Sequence, residues 1–258
     1  MIVLEENKPE IREEKKSKNK VHIINMVLLI VTLVLTGLSF YKITNLGNSL
    51  TGSATAAQTI SDVKLDFYVM SFCPYGNQAE EAIEPVYRLM KDKVSFNPHY
   101  VVYENYHGGG ADYCIANGKY CSMHGIQEVN QDIRELCVAK YLGMEKYFDF
   151  ILAINKKCSS ANADSCWEQV AKDLKLDVNK IRTCQEKEAV ELAANEFNLN
   201  QQLGVSGSPT TFINDLDYNG GRTPQSYLDA VCSKFTTKPA QCSQKLAGAT
   251  ATPTGDCG

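Results

Sequence analysis

The spacing of apolar residues changes at one cysteine, Cys73. From Val63 to Met70 the chain is rich in β-branched and aromatic residues, as in a buried strand. After Cys73 the apolar residues follow one face of a helix. They are Ala79, Ala82, Ile83, Val86 and Met90. This pattern predicts a strand that runs into a thiol and then into a helix.

Cys73 is the predicted catalytic residue. Pro74 suits the first turn of a helix, where its missing N–H costs no hydrogen bond, so Cys73 is expected at or beside the N-cap. The positive end of the helix dipole lowers the pKa of a thiol placed there, and the thiolate is the reactive species. The alternative is a buried cysteine that acts as a small apolar residue. The carboxylates Glu80, Glu81 and Glu84 are predicted on the solvated face of the helix.

The following segments predict a second strand and then a group of helices. Val94–Tyr103 has a strand pattern, and Pro98 within it indicates a sheet edge or a bulge. A polar, Gly-rich loop comes next. Three helical apolar faces then predict a helical insertion over about residues 125–203, with a polar loop at Lys157–Trp167 and a short helix at Asp177–Cys184.

The chain then returns to strand. The segment GVSGSPTTFIN, residues 204–214, has Pro209 immediately before a β-branched and aromatic run. Asn219-Gly220 is a strong hairpin signal, so Thr210–Asp215 is expected to pair with a short strand near Gly221. A last helix is predicted over Pro224–Phe235.

The first quarter of the chain predicts a membrane anchor. Residues 1–20 are charged without an apolar period, residues 21–43 contain an apolar run long enough to span a bilayer, and residues 44–61 have the composition of a flexible linker. More lysines precede the run than follow it, which places the N-terminus in the cytoplasm and the rest outside the cell membrane. A cleaved signal peptide is less favoured because the small-residue pattern at residues 54–56 lies too far from the apolar core. The folded domain is expected over residues 62–235, and a C-terminal tail over residues 236–258.

Composition narrows the class of protein. The net charge of -4 provides no basic field for nucleic acid. None of the ten cysteines precedes Cys73, which suggests an oxidising side of a membrane. The sequence has no phosphate loop, paired-carboxylate site or Ser-His-Asp arrangement, so we expect no cofactor.

Two resemblances follow from these motifs. Cys73-Pro74-Tyr75-Gly76 resembles a glutaredoxin-type active-site turn whose second cysteine is replaced by glycine, and the order of elements resembles the DsbA-like branch of the thioredoxin superfamily. The resemblance implies an α/β, thioredoxin-like fold with an inserted helical subdomain. It also implies that a cis Ser208-Pro209 bond faces the thiol, and that Ser208, Pro209 and Thr210 line the substrate groove.

A second, partial resemblance lies at residues 121–137. Cys121-Ser122-Met123-His124-Gly125, followed by Glu128, Asn130 and Cys137, is similar to the signature of the γ-interferon-inducible lysosomal thiol reductase family. Val129 stands where that family has a further cysteine. This resemblance implies thiol chemistry on protein substrates, but not a lysosomal reductive role.

The remaining cysteines are interpreted as structural disulfides. Proximity along the chain suggests three pairs, Cys114 with Cys121, Cys158 with Cys166, and Cys232 with Cys242. A fourth disulfide, Cys137 with Cys184, could join two helices. Cys257 is left over. The alternative is a zinc site formed by Cys114, Cys121, Cys137 and His124. The spacing of these residues matches no common zinc module, so we expect no metal. His124 is expected to cap a helix or bind backbone, and the alternative is a base for Cys73.

The leading functional hypothesis is a membrane-anchored, extracytoplasmic thiol-disulfide oxidoreductase or isomerase that acts on cysteine-containing proteins through Cys73. A membrane or small-thiol redox partner could supply the resolving thiol. The alternative is a redox-inactive thioredoxin-fold module or chaperone that binds extended polypeptides in the same groove. A third reading is a peroxidase that forms a sulfenic acid at Cys73.

Overall fold

A mixed four-stranded sheet organises the part of the chain that the computed structural model describes, residues 63–248. The sheet contains β1 (Val63–Val69), β2 (Val94–Tyr100), β5 (Thr210–Ile213) and β6 (Leu216–Asp217), and a separate hairpin contains β3 (Cys114–Ile115) and β4 (Tyr120–Cys121). The helices are α1 (Pro74–Met90), α2 (Ile126–Leu142), α3 (Met144–Lys157), α4 (Ala163–Asp173), α5 (Val178–Leu203) and α6 (Pro224–Cys232). Two short 3₁₀ turns lie at Tyr106–Gly108 and Ala240–Ser243.

Strand β1 is central and directs the chain toward Cys73. The sheet order is β2-β1-β5-β6, with β1 parallel to β2 and antiparallel to β5. Helices α2 to α5 lie between the parallel pair and the returning strand β5 along the chain. This is the mixed α/β arrangement with a helical insertion that the sequence predicts.

Side chains of α5 bind the chain at the free edge of β2. The carboxylate of Glu196 accepts from the Tyr100 N–H at 2.9 Å. The amide of Asn200 accepts from the Val102 N–H at 2.7 Å and donates to the Tyr100 carbonyl at 3.1 Å. These contacts satisfy backbone groups that have no neighbouring strand, and they agree with the edge position indicated by Pro98.

Aromatic rings join the insertion to the sheet. The Phe148 ring on α3 lies 4.7 Å from the Tyr87 ring on α1 and 6.1 Å from the Phe67 ring on β1, measured between centroids. All three side chains are buried. Packing of this kind fixes α1, and therefore the cysteine at its start, against the sheet.

Two of the predicted helical boundaries are wrong. The short helix predicted at Asp177–Cys184 is the first part of α5, which continues without a break to Leu203 because no Gly or Pro interrupts it before Gly204. The loop predicted at Lys157–Trp167 becomes helical at Ala163, where α4 begins. Trp167 is buried there, with the Arg134 guanidinium 5.0 Å from its ring centroid.

The hairpin turn also differs from its prediction. Strands β5 and β6 are connected by Asn214 and Asp215, both with positive φ (51° and 62°), whereas Asn219-Gly220 lies beyond β6. Asn and Asp tolerate this left-handed backbone, and two positive φ values are what a tight two-residue hairpin turn requires. The Asn214 side chain also accepts from the Lys64 N–H at 2.8 Å, which ties the turn to β1.

Some predicted segments lie outside the described residues. Within residues 63–248 no helix is both long and apolar enough to cross a membrane. The predicted tail, anchor and linker fall in residues 1–62, and the last part of the C-terminal tail falls in residues 249–258.

Candidate functional site

Cys73 is the N-cap residue of α1. Its backbone is extended, its Sγ accepts from the Gly76 N–H at 3.3 Å, and Pro74 is the first helical residue. The side chain is fully buried. The sulfur therefore lies where unpaired helical N–H groups and the helix dipole favour negative charge.

The loop before β5 lies against this sulfur. The Ser208-Pro209 peptide bond is cis, as the family resemblance implies. The Ser208 carbonyl oxygen lies 3.4 Å from the Cys73 Sγ, and the Ser208 hydroxyl accepts from the Met70 N–H at 3.0 Å. Thr210 donates its hydroxyl to the Gly207 carbonyl at 2.8 Å and stabilises the loop. The structure thus brings together the predicted active-site turn and the predicted groove residues.

Gly76 occupies a position where no larger residue fits without rearrangement. A Cβ placed on Gly76 would lie 2.5 Å from the Ser208 Oγ and 3.3 Å from the Met70 carbonyl oxygen. Real Cβ atoms do not approach other atoms as closely as 2.5 Å. The Ser208 side chain therefore fills the space that a second cysteine of the turn would need.

The surroundings of Cys73 are mostly apolar. Buried side chains of β1, β5 and the segments that follow β1, β2 and α5 pack with it; they are Tyr68, Met70, Val101, Val205 and Phe212. Tyr75 is partly exposed at the rim, with the Arg222 guanidinium 5.4 Å from its ring centroid. Tyr103 donates its hydroxyl to the Ser206 carbonyl at 3.0 Å.

Carboxyl groups from one face of α2 bind the loop that leads to Cys73. Glu128 accepts from the Phe72 N–H at 2.8 Å. Asp132 accepts from the Ser71 N–H at 3.1 Å and from the Ser71 hydroxyl at 2.5 Å. Glu135 lies 3.1 Å from the same hydroxyl oxygen. The three carboxyl groups are buried, and we call Glu128, Asp132 and Glu135 the acidic stack. The two residues before Cys73 are thus hydrogen-bonded to this stack.

Burial raises the pKa of two members of this stack. Desolvation raises the pKa of Asp132 well above its ordinary range, and the neighbouring charge of Glu128 raises it further. Desolvation also raises the pKa of Glu135 to about 7, although hydrogen bonds from Tyr100, Gln131 and Ser71 oppose the effect. The stack was not predicted from the sequence. Its signal was available in the i, i+4, i+7 spacing of three acids on one helix face.

Two further side chains depart from their predictions. Glu80 is fully buried rather than solvated, because α3 covers it and the Asn155 amide donates to its Oε2 at 2.7 Å. Desolvation accordingly raises the pKa of Glu80. His124 lies with its Nδ1 2.8 Å from an oxygen of Glu128, a carboxylate contact that is not among its predicted roles.

Eight cysteines of residues 63–248 form four disulfides with one another. The bonded pairs are Cys114–Cys121, Cys158–Cys166 and Cys232–Cys242, which proximity suggests, and Cys137–Cys184, which is expected to join two helices. The cysteines of the competing zinc site are thus bonded to sulfur, and residues 63–248 contain no cluster of side chains able to bind a metal. Cys73 is also disulfide-bonded. Cys257 lies outside the described residues.

Solved structures with this architecture include DsbA and a related disulfide oxidoreductase. Oxidised DsbA from Mycobacterium tuberculosis aligns with a TM-score of 0.53 and 15% identity, over 72% of this chain and 93% of that one. The reduced disulfide oxidoreductase DsbG from the same organism aligns with a TM-score of 0.51 and 16% identity, over 73% and 88%. The fold is therefore the thioredoxin-like fold of the DsbA proteins.

The sequence matches the model of one protein family. The vacuolar sorting receptor thioredoxin-like domain matches residues 77–232, more than half of the chain. The chain belongs to this family. The match begins just after the Cys73 turn, so the turn itself lies outside the matched residues.

Relatives within the vacuolar sorting receptor family are much longer proteins. Vacuolar-sorting receptor 5 of Arabidopsis thaliana is 31% identical over 157 residues, which is 50% of this chain and 25% of the relative. Vacuolar-sorting receptor 1 of Pisum sativum is 28% identical over 179 residues, which is 57% of this chain and 29% of the relative. The similarity thus concerns one domain of these receptors.

Proposed function

We propose that this protein is an extracytoplasmic thiol-disulfide oxidoreductase or isomerase, anchored to the cell membrane by residues 21–43, that acts on protein disulfides through Cys73. The observation that supports it is the position of the Cys73 sulfur at the N-terminus of α1, 3.4 Å from the Ser208 carbonyl of the cis-proline loop. A cysteine kept only for packing needs neither a helix-opening proline nor a polar backbone group facing its sulfur.

In the proposed reaction the reduced Cys73 thiolate attacks one sulfur of a client disulfide. A bond forms between Cys73 and that sulfur, the client S–S bond breaks, and the other client sulfur leaves as a thiolate that takes up a proton. The helix N-terminus stabilises the Cys73 thiolate before attack and after release. The loop of Ser208, Pro209 and Thr210 aligns the client strand. A second thiolate then resolves the mixed disulfide.

An isomerase assay tests this proposal. The full chain is incubated with a scrambled disulfide substrate and a thiol buffer, and recovery of substrate activity is followed. We expect loss of catalysis in Cys73→Ser. A variant lacking the half-buried Cys158–Cys166 disulfide, with serine at both positions, is the matched control and should keep its activity. Equal recovery with the wild type and Cys73→Ser would show that Cys73 is not the reactive group.

A second candidate function is polypeptide binding without redox turnover. The relatives are named as sorting receptors, and Gly76 stands where a two-cysteine active-site turn has its second cysteine. Here the partly exposed loop of Ser208, Pro209 and Thr210 beside Cys73 would bind an extended segment of a client. This function predicts client binding that is unchanged in Cys73→Ser, whereas the enzyme loses its covalent intermediate.

A further inference from the structure

We propose that a cavity beside the active-site loop binds a basic side chain, arginine or lysine, of the client segment that reacts at Cys73. We call this cavity the client pocket; its main lining residues are Asp112, Tyr113, Met123, His124, Ile126 and Gln127. The inference rests on the proposed function, and it names the class of client that the enzyme would prefer.

The client pocket adjoins the active site through two side chains. Met123 lines the pocket and also packs with the buried cluster that contains Cys73. His124 lines the pocket as well, and its Nδ1 lies 2.8 Å from an oxygen of Glu128. The Glu128 carboxylate in turn accepts from the N–H of Phe72, the residue before Cys73, at 2.8 Å. A client held at Cys73 would therefore have the pocket beside it.

A row of aromatic rings connects the cis-proline loop with the client pocket. The Tyr103 hydroxyl donates to the carbonyl of Ser206, three residues before Pro209, at 3.0 Å. The Tyr106 ring lies 5.5 Å from the Tyr103 ring and 5.6 Å from the Tyr113 ring, measured between centroids. All three tyrosines are half-buried. An extended client that lies against the cis-proline loop can thus follow aromatic surface to the pocket.

The charge of the lining favours a cation. Asp112 is exposed, and its carboxylate has no hydrogen-bond or ion-pair partner within residues 63–248. The pocket-lining residues of this described part include no lysine or arginine. The Tyr113 ring can contact a cation through its π face, and Met123 and Ile126 can pack against the aliphatic stem of arginine or lysine. A carboxylate, an aromatic ring and apolar side chains together fit a long basic side chain.

The start of α2 in the pocket does not make it an anion site. The Asp112 carbonyl accepts from the Ile126 N–H at 2.7 Å, and the Glu128 N–H donates to the Gly125 carbonyl at 3.1 Å, so two of the first helical N–H groups are already bonded. A proton on His124 would be balanced by the Glu128 carboxylate that its Nδ1 contacts. The Asp112 carboxylate therefore remains to attract a positively charged group.

Covalent and hydrogen bonds hold the walls of the client pocket. Tyr113 directly precedes the Cys114–Cys121 disulfide, and its ring lies 4.8 Å from the His107 ring between centroids. Gln127 is hydrogen-bonded through both its amide nitrogen and its oxygen to backbone at the start of α4, near the lining residue Ser160. The cavity of about 320 Å³ is thus formed before a client arrives, which reduces the entropy lost on binding.

A series of peptides tests the inference. Short alanine-based peptides contain one cysteine, disulfide-bonded to glutathione, and a single arginine at successive positions on either side of it. In matched peptides the arginine is replaced by glutamate or by citrulline, which has a similar shape without the charge. The full chain, with Cys73 reduced and the four described disulfides intact, is mixed with each peptide, and the peptide adduct at Cys73 is followed by mass spectrometry.

The pocket predicts a preference for arginine. At one or more positions the adduct should form about three- to tenfold faster with arginine than with citrulline when the peptide is below saturation. Equal rates at every position, or a faster reaction with glutamate, would overturn the inference.

Variants assign this preference to the client pocket. In Asp112→Asn the ratio of the arginine rate to the citrulline rate should fall to about one, and Asp112→Lys should react faster with the glutamate peptide. Glu186→Gln removes one negative charge from an exposed position on α5 and is the matched control, which should keep the wild-type ratio. A wild-type ratio in Asp112→Asn would contradict the assignment.

Binding of unreactive peptides separates this inference from the proposed function. Serine replaces the cysteine of each peptide, and binding to the full chain is measured by fluorescence anisotropy. If arginine strengthens this binding but no peptide forms an adduct at Cys73, the proposed function fails and the pocket still binds a basic side chain. If adducts form at the same rate with arginine and citrulline, this inference fails and the proposed function stands.

Discussion

The buried carboxyl of Glu135 should make the protein less stable as the pH rises toward neutrality. Its pKa is raised from an ordinary value of 4.5 to about 7, chiefly by desolvation. The folded state therefore binds a proton that the unfolded state has released between these values. The stabilisation is fully present below about pH 4.5 and is lost as the pH rises through about 7. The difference corresponds to on the order of 3 kcal/mol of unfolding free energy.

Other buried carboxyl groups change the stability in the same direction as Glu135, whereas surface carboxyl groups change it in a lower pH range. Desolvation raises the pKa of Asp132 and of Glu80, so these carboxyls add to the loss of stability with rising pH. Surface carboxyls such as Glu188, whose pKa is lowered by Lys140, affect stability only below their ordinary pKa. The window from about pH 4.5 to pH 8 therefore reports on the buried groups.

Urea denaturation from pH 4.5 to pH 8, with the disulfides kept intact, measures this effect. We expect the unfolding free energy of the wild type to fall across the window and the slope to be smaller in Glu135→Gln, which keeps a hydrogen-bonding group of similar shape. Glu188→Gln on the surface is the matched control and should keep the wild-type slope. A wild-type stability that is constant or rises over this range would refute the reasoning, as would an unchanged slope in Glu135→Gln.

Two further predictions concern packing and the sheet edge. Gly76→Ala should lower the unfolding free energy by about 1–3 kcal/mol, because the new methyl group displaces the Ser208 hydroxyl. Denaturation of Gly76→Ala, Ser208→Ala and the double variant should give changes in unfolding free energy that depart from additivity by more than about 0.5 kcal/mol. Additive changes would contradict the close approach of the two side chains. Asn200→Ala should cost about 1–3 kcal/mol because two backbone groups at the edge of β2 lose their partner. For Asn200→Ala, amide hydrogen exchange should be faster at Val102, and unchanged protection there would contradict this account.

The active-site turn could be predicted because its signals are local. The change of period at Cys73 and the proline after it mark a helix start whatever the rest of the chain does. Three of the disulfides join cysteines close in sequence, separated by 7, 8 and 10 positions, so proximity was informative.

The hairpin turn and the buried acids could not be predicted from local sequence alone, because they depend on tertiary contacts or on a choice between two turn sequences of similar strength. Asn214-Asp215 and Asn219-Gly220 are both turn sequences, and pairing of β5 with β1 decides in favour of the first. Glu80 and the acidic stack were not predicted as buried, since acids on an amphipathic helix are usually solvated. Helices α2 and α3 cover the active-site loop and the inner face of α1, and this packing decides which acids lose contact with water.

Covalent capture of a client at Cys73 tests the central claim most directly. The reduced full chain is mixed with a peptide that carries a disulfide, quenched with acid, alkylated, and digested for mass spectrometry. We predict an adduct on the tryptic peptide that follows Lys64 and contains Cys73, formed through loss of the peptide's other thiol. If Cys73 is alkylated and carries no adduct while the disulfide-containing client peptide still binds to the protein, the result would contradict the proposed enzymatic function. It would instead identify a binding module.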